Sequence, residues 1–179
     1  MTTESVLEIL YSSDEIQARV LELAAELRRE IPDEPIVLLG VLKGSFQFVT
    51  DLARALTGEV VIDFVQTSSY GEDKSSSGVV QLRKDHDVNI EGRHVVIVED
   101  IVDTGLTLSY LRELLQTRKP TSIRVVTMLS KPAARTHSTL IEHVGFEIPN
   151  SFVVGYGLDY AERYRNLPYI AILHEELGS

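Results

Sequence analysis

The segment that most restricts the fold of this chain is residues 95–108, which read VVIVEDIVDTGLTL. Its first four residues are apolar and β-branched, which is typical of a strand covered on both faces of a sheet. The strand leads into two adjacent carboxylates, Glu99 and Asp100, and then into a short turn at residues 103–107. An amphipathic helical pattern follows. This order predicts a strand–turn–helix unit with a ligand at the carboxyl end of the strand.

The turn has the composition of a phosphate-binding loop. Free backbone N–H groups at the start of a helix, together with the helix dipole, attract an anion. Two carboxylates beside such a loop suit sugar hydroxyls and a metal ion with oxygen ligands. The segment therefore predicts a ribose-phosphate ligand. The plain alternative for Glu99 and Asp100 is a solvated strand end next to a helix cap.

Composition narrows the class of protein. A chain of 179 residues with 44% hydrophobic residues suits one domain, residues 1–179, with a single large core. Its formal net charge of −10 at pH 7 argues against nonspecific nucleic-acid binding. The absence of cysteine excludes a disulfide framework and thiol catalysis. We find no signal-peptide pattern and no apolar run near the roughly 20 residues of a membrane span, so we expect a cytoplasmic protein without a membrane partner.

Strand and helix patterns alternate along the chain. Strands are predicted over residues 6–11, 36–42, 60–66, 79–82, 94–98 and 123–129, with short strands within 143–156 and 169–173. Helices are predicted after the capping box at residues 12–15 and over residues 45–56 and 107–118. In the second helix we place Phe46 on the apolar face. Because alternating strands and helices form parallel sheets with right-handed crossovers, we predict an α/β fold with a mostly parallel sheet flanked by helices.

Four further motifs accompany the central segment: Leu42-Lys43-Gly44, Ser68-Ser69-Tyr70-Gly71, Ser130-Lys131 and, at residues 152–160, FVVGYGLDY. Together they resemble the type I phosphoribosyltransferases, which bind 5-phosphoribosyl 1-diphosphate. Their order is similar to that of the bacterial hypoxanthine(-guanine) phosphoribosyltransferases over about residues 7–173. The resemblance implies the type I phosphoribosyltransferase fold with a small hood formed from the chain ends. It also implies Mg²⁺ as cofactor and a homo-oligomer, either dimer or tetramer.

The resemblance implies a reaction and assigns roles in the central segment. A purine, hypoxanthine or guanine, and 5-phosphoribosyl 1-diphosphate would give the nucleoside 5-monophosphate and pyrophosphate. Glu99 and Asp100 would hold the ribose hydroxyls, directly or through Mg²⁺. Asp103 would exchange a proton with purine N7, although it could simply cap the following helix. The 5-phosphate would be bound by Thr104, Gly105, the backbone N–H of Leu106, and Thr107.

The other motifs gain roles in the same way. A cis peptide between Leu42 and Lys43 would direct the N–H groups of Lys43 and Gly44 at pyrophosphate, where Arg165 also pairs. The roles implied for the base and the metal are these: Lys131 donates to the purine 6-oxo group, Phe152 stacks on the base, the Val153 backbone reads the purine edge, and Asp159 joins Glu99 and Asp100 on Mg²⁺. The plain alternatives are surface lysines, a core phenylalanine and a solvated charged run.

Ser69 and Tyr70 begin a polar segment that contains few residues to bury. The resemblance implies a mobile lid, about residues 69–79, that closes over the leaving pyrophosphate and excludes water from the reacting carbon. The plain alternative is a loop tip without a function.

Two rival functions remain open. One is a phosphoribosyltransferase for xanthine and guanine, or for a pyrimidine; Lys131 and residues 152–160 argue against the pyrimidine. The other is a regulator of the same fold that senses a nucleotide while it binds RNA or DNA. The acidic composition and the complete set of site residues favour the enzyme, with small-molecule substrates and no nucleic-acid partner.

Overall fold

A computed structural model describes residues 5–69 and 80–175. The strands are β1 (Ser5–Tyr11), β2 (Ile36–Leu42), β3 (Val60–Ser69), β4 (Val80–Lys84), β5 (His94–Val102), β6 (Ser122–Ser130), β7 (His143–Glu147), β8 (Val153–Val154) and β9 (Ile170–Glu175). The helices are α1 (Ser13–Glu30), α2 (Phe46–Ala55) and α3 (Leu106–Gln116), with a 3₁₀ turn at Pro132–Ala134. None of the helices in these two ranges has both the length and the apolar character needed to cross a membrane.

The main sheet has six strands in the order β4-β3-β2-β5-β6-β7. All its neighbouring pairs are parallel except β3 and β4, which are antiparallel. Strand β5 lies between β2 and β6, so it has a hydrogen-bonded neighbour on each side. The mostly parallel α/β sheet predicted from the sequence is confirmed.

Two hydrophobic cores cover the two faces of this sheet. Even-numbered residues of β2 and β5, such as Leu38 and Val98, pack against α1 and α2. Odd-numbered residues, such as Leu39 and Ile97, pack against α3. Because successive strand residues point to opposite faces, β5 is buried on both sides, as its run of apolar residues predicts.

Strand β5 is longer than the sequence pattern indicated. It continues through Glu99 and Asp100 to Val102, because β6 extends alongside and pairs its own Ser130 with Val102. The two carboxylates therefore lie inside the strand, near its carboxyl end, rather than beyond it.

The placement of Phe46 on the buried face of α2 is wrong. Phe46 is 40% exposed, whereas Phe48 is completely buried with Val49 and Leu52. Two residues correspond to about 200° of helical rotation, so Phe46 and Phe48 cannot both face the sheet. The larger buried stripe centres on Phe48, and this leaves Phe46 outside it.

A second sheet forms the hood. Strand β9 pairs antiparallel with both β1 and β8, so the two ends of the chain meet in one three-stranded layer. The ring of Tyr11 at the end of β1 stacks on Phe146 of β7, with 3.9 Å between ring centroids. The predicted small hood is confirmed, and this aromatic pair joins it to the edge of the main sheet.

Helix α1 protects β7, which is an edge strand of the main sheet. Arg19 donates hydrogen bonds to the carbonyl oxygens of Val144 and Gly145, at 2.8 and 3.0 Å. The buried ring of His143 lies between two carboxylates of α1, 3.1 Å from Glu26 Oε2 and 3.3 Å from Glu30 Oε1. Covering an edge in this way leaves fewer backbone groups open to a foreign strand.

The contact between α1 and β7 should make the fold sensitive to acid. Burial opposes ionisation of Glu26 and Glu30, but their partners His143, Arg19 and Arg124 outweigh it and hold the pKa of both carboxyls below the ordinary value. A carboxyl with a lowered pKa in the folded state stabilises the fold above its unfolded pKa. That contribution is lost as the pH falls through the folded pKa.

We therefore expect the Glu26→Gln/Glu30→Gln variant to be less stable than the parent chain at neutral pH, by about 0.5–1 kcal/mol for such partly exposed pairs. The difference should disappear as the pH falls below the ordinary carboxyl value of 4.5. Urea unfolding followed by circular dichroism between neutral pH and about pH 3 measures it. Glu34→Gln is the control, because Glu34 has no ion pair in the described ranges, and it should show no such pH dependence. If the stability difference between the double variant and the parent chain stays constant with pH, the assignment is contradicted.

Candidate active site

The turn after β5 forms one part of the site. Helix α3 begins at Leu106, and its N-cap residue is Gly105, with φ of 85° in the left-handed region. Because glycine has no side chain, it offers no cap to the first N–H groups of the helix. Asp103 does not cap α3, so the plain alternative for this residue is not observed. The free N–H groups at this terminus are suited to an anion.

A cavity of about 110 Å³ lies at this turn. It is lined by Glu99, Ile101, Val102, Asp103, Thr104, Gly105, Thr107 and Leu108. The structure thus brings together Glu99 and most of the residues predicted to bind a 5-phosphate. Leu106 follows Gly105 directly, and its N–H donates to Thr104 Oγ1 at 3.3 Å.

Glu99 and Asp100 occupy different environments. Glu99 is 6% exposed and lines the cavity beside α3, whereas Asp100 lies against Gly44 in the turn after β2. Burial, and then the charge of Asp100, raises the pKa of Glu99 well above its ordinary value. Burial raises the pKa of Asp100 to about 6, although backbone N–H groups and Arg165 oppose the shift. A raised pKa favours the neutral carboxyl, which can donate a hydrogen bond, until a ligand or cation changes the surroundings.

The turn after β2 lies against Asp100. The peptide between Leu42 and Lys43 is cis, as the resemblance implied. A Cβ added to Gly44 would lie 1.6 Å from Asp100 Oδ2, and one added to Gly157, whose φ is +101°, would lie 1.9 Å from the Gly44 carbonyl oxygen. Only glycine allows these three segments to approach so closely. The carboxyl ends of β2 and β5 therefore meet the segment that follows β8.

Arg165 connects that segment to the same place. Its Nη1 donates to the Gly157 carbonyl oxygen at 2.9 Å, and its Nη2 lies 3.0 Å from Asp159 Oδ1. Glu162 lies between Arg165 and Lys43, with its two oxygens 3.4 Å from Arg165 Nη2 and 3.1 Å from Lys43 Nζ. Three charged residues predicted for the site, Lys43, Asp159 and Arg165, are thus brought together by a fourth that the sequence analysis did not single out.

The three predicted metal ligands do not converge as a group. Within residues 5–69 and 80–175, no three carboxylate or imidazole groups form a set able to hold a metal ion. Asp100 and Asp159 are nevertheless close enough for the charge of Asp159 to raise the pKa of Asp100, while Glu99 lines the cavity beside α3. Mg²⁺ commonly uses one or two carboxylates and completes its shell with water and substrate phosphates. Asp100 and Asp159 suit such a site.

The predicted base-binding residues lie after β6 and in the hood. Lys131 directly follows β6, is 8% exposed, and donates its backbone N–H to Val102, the residue before Asp103, at 3.0 Å. Phe152 is 52% exposed and packs edge-to-face on Tyr160, with 5.7 Å between ring centroids. Val153 lies in β8, which is the outer strand of the hood sheet, so one edge of its backbone faces away from β9.

Three residues near the site have contacts that the sequence analysis did not predict. Arg135 donates to the Asp103 carbonyl oxygen at 3.1 Å and to Ser130 Oγ at 3.0 Å, and it thereby fixes the backbone of the phosphate turn. Tyr160 belongs to a recognised motif, but its contact with Phe152 could not be inferred from spacing. In the sequence, Glu162 is one acidic residue in a charged segment, and nothing there distinguishes it from a solvated surface residue.

The predicted lid can be followed only to its beginning. Ser69 is the last residue of β3 and pairs with Val80 of β4, so the segment between them starts at the carboxyl end of β3. Tyr70 and the rest of residues 70–79, together with the side chain of Ser69, lie outside the part that the structure describes.

Comparison with known proteins decides the family. Residues 7–161 match the phosphoribosyl transferase domain model. The chain belongs to this family. It is 50% identical over 173 residues to the hypoxanthine-guanine phosphoribosyltransferase of Bacillus subtilis, which covers 97% of this chain and 96% of the relative. It is 44% identical to the enzyme of the same name from Streptococcus pyogenes serotype M3, over 100% of this chain and 99% of the relative.

The solved structures agree. A crystal structure of a hypoxanthine phosphoribosyltransferase from Staphylococcus aureus superposes with a TM-score of 0.90 at 45% identity, covering 96% of this chain and 94% of that one. The type I fold and the phosphoribosyltransferase class expected from the sequence are therefore confirmed. This chain is a phosphoribosyltransferase.

The contact between Gly44 and Asp100 gives a direct test of the site. In Gly44→Ala the added methyl would lie 1.6 Å from Asp100 Oδ2, so the carboxylate must move while the backbone can stay. We expect kcat/KM for 5-phosphoribosyl 1-diphosphate to fall about 100-fold, as a displacement of 1 Å can cost. Steady-state kinetics and a thermal melt measure activity and folding separately.

Gly92→Ala is the matched control, since nothing lies within 4 Å of a Cβ added there. It precedes β5, at the opposite end of the sheet, and should leave kcat/KM unchanged despite its positive φ of 69°. Full activity in Gly44→Ala would show that the position of the Asp100 carboxylate is unimportant for the reaction.

Proposed function

We propose that this chain transfers the phosphoribosyl group from 5-phosphoribosyl 1-diphosphate to hypoxanthine and guanine, with release of pyrophosphate, in purine salvage. The observation that carries the proposal is the phosphate cavity at residues 101–108 beside the nearly buried Lys131. The names of the Bacillus subtilis and Streptococcus pyogenes relatives support the same purine bases. The active unit is one domain, residues 1–179.

The 5-phosphate and ribose occupy the cavity between Glu99 and the start of α3. The hydroxyls of Thr104 and Thr107 and the N–H groups of residues 105–107 bind the phosphate. Glu99, which lines the cavity, binds a ribose hydroxyl, and Asp100 approaches the ribose from the turn after β2.

The base lies between Phe152 and Lys131. The half-exposed Phe152 ring, braced by Tyr160, offers a stacking surface. The Lys131 ammonium donates to the 6-oxo group, and the Val153 backbone reads the purine edge. Asp103 is exposed and its backbone is held by Arg135, so its carboxylate is available to exchange the N7 proton.

The pyrophosphate faces the backbone of Lys43 and Gly44 and the guanidinium of Arg165. Asp100 and Asp159 would hold Mg²⁺ there, and the ion would neutralise charge on the leaving group when bound. Ser69 and Tyr70 begin a lid that excludes water from the reacting carbon. We further infer a cytoplasmic homo-oligomer, dimer or tetramer, with small-molecule substrates and no nucleic-acid or membrane partner.

The proton-transfer role of Asp103 predicts a loss confined to chemistry. Asp103→Asn should lower kcat by roughly 10²–10⁴, the usual contribution of a general acid or base, while 5-phosphate affinity is kept. Single-turnover kinetics and nucleotide titration measure the two effects. Asp33→Asn, at an exposed turn before β2, makes the same chemical change far from the site and should have no effect. Less than a fivefold loss for Asp103→Asn where chemistry limits the rate excludes the role.

Base choice tests the 6-oxopurine assignment and separates the rival enzymes. A site built to donate a hydrogen bond rejects an analogue that lacks the acceptor, so hypoxanthine should exceed adenine in kcat/KM by at least about 10³. Lys131→Met should reduce that preference by slowing hypoxanthine more than adenine. Steady-state assays with hypoxanthine, guanine, xanthine and adenine measure it. Xanthine as the best substrate would favour the xanthine/guanine type, and comparable adenine turnover would overturn the assignment.

A further inference from the structure

One carboxylate bridges the two cationic side chains of the pyrophosphate side of the site. Glu162 Oε2 lies 3.1 Å from Lys43 Nζ, and Glu162 Oε1 lies 3.4 Å from Arg165 Nη2. The backbone N–H of Glu162 donates to Asp159 Oδ2 at 2.9 Å, which holds the residue over the site. The Lys43 hydrogen bond and charge, followed by those of Arg165, keep the pKa of Glu162 below its ordinary value, so it is an anion at neutral pH.

Arg165 does not need Glu162 to keep its position. Its Nη1 donates to the Gly157 carbonyl oxygen at 2.9 Å, and its Nη2 also pairs with Asp159 at 3.0 Å. Its own carbonyl oxygen accepts hydrogen bonds from Gly157 N and from Gln47. The guanidinium is therefore fixed from several directions, and Glu162 only occupies part of its donor capacity.

Lys43 is in a different position. Its backbone is fixed at the end of β2, but in the described ranges its ammonium has Glu162 as its one ion-pair partner. Both side chains remain largely open to water, with 56% of Lys43 and 67% of Glu162 exposed. This pair can therefore separate without opening the core or breaking any element of the fold.

We propose that Glu162 is a resident counter-anion of the pyrophosphate site, which pairs with Lys43 and Arg165 in the free enzyme and releases both when the diphosphate binds. The inference rests on the proposed function, which places the diphosphate at the Lys43 backbone and the Arg165 guanidinium; it adds the Lys43 ammonium to the groups that the diphosphate contacts. Glu162 acts through Lys43 and Arg165 and is a positioning residue. By competing for the same donors it weakens diphosphate binding and speeds release of the product pyrophosphate.

An orienting role for Glu162 would change diphosphate affinity in the opposite direction. If Glu162 served to orient Lys43 and Arg165 for the ligand, its removal would weaken diphosphate binding. The independent anchors of Arg165 argue for competition instead. Exposed ion pairs are individually weak, so the loss of two such pairs should tighten binding about three- to tenfold.

The test measures pyrophosphate binding to the full chain by calorimetry in the presence of Mg²⁺. Glu162→Gln keeps the shape of the side chain and removes its charge, and the dissociation constant of pyrophosphate should fall about three- to tenfold. The KM for 5-phosphoribosyl 1-diphosphate should fall with it, while the KM for hypoxanthine and the affinity for IMP stay unchanged. A purely structural defect would not produce this separation.

Glu91→Gln is the matched control, because it removes the same charge from the loop before β5, at the opposite end of the sheet. It should leave the dissociation constant unchanged, which excludes a general effect of net charge. Lys43→Met tests the competition itself. If Glu162 acts by holding Lys43, the gain from Glu162→Gln should shrink at least twofold in the Lys43→Met background.

Each other outcome overturns the inference. Unchanged or weaker pyrophosphate binding in Glu162→Gln would assign the residue a structural or orienting role. An equal gain with and without Lys43 would mean simple repulsion through space. If the parent chain turns over hypoxanthine and binds pyrophosphate, such results remove only this inference. If the parent chain does neither, the proposed function fails as well, and the parent assays alone reveal it.

Discussion

The site depends on the burial of β5 between two hydrophobic cores. Its apolar residues are covered on both faces, and pairing with β2 on one side and β6 on the other fixes its register in the sheet. At its end the strand carries Glu99, which lines the cavity beside α3, and Asp100, which lies against the turn after β2. A single rigid strand thus supplies a carboxyl group to each of these two places.

This arrangement has an energetic cost in the free protein. Transfer of an ionised carboxylate from water into the protein interior costs roughly several kcal/mol, even after the protein relaxes around it. Burial raises the pKa of both acids, to about 6 for Asp100 and well above the ordinary value for Glu99, so that the neutral form of each group is favoured more than it is in water. A cation bound next to Asp100, or a hydroxyl that accepts from Glu99, satisfies the group that burial left short of partners. The ligand that the site is proposed to hold would therefore offset part of the desolvation cost of these two carboxyl groups.

The sequence was sufficient where the signal is local. The apolar run of β5, the turn at residues 103–107 and the alternation of helices and strands predict the sheet and the turn at which a cavity lies. The prediction for Phe46 was wrong. Phe46 and Phe48 lie two residues apart, and residue type alone does not reveal which of the two the sheet covers. Contacts between distant segments, such as Arg135 with the Asp103 carbonyl, have no local pattern because a three-dimensional approach creates them.

Close backbone approach explains why the remaining part of the site could not be predicted from residue type alone. Gly44 and Gly157 look like ordinary turn glycines in the sequence, yet a Cβ on either would collide with a neighbouring segment. Their contact brings Lys43 to the segment that carries Asp159, Glu162 and Arg165, more than 100 residues away in sequence. In the absence of ligand, opposite charges held this close must pair with one another. Lys43 and Arg165 therefore already have carboxylate partners, and an anionic ligand would have to compete with these ion pairs for the two cations.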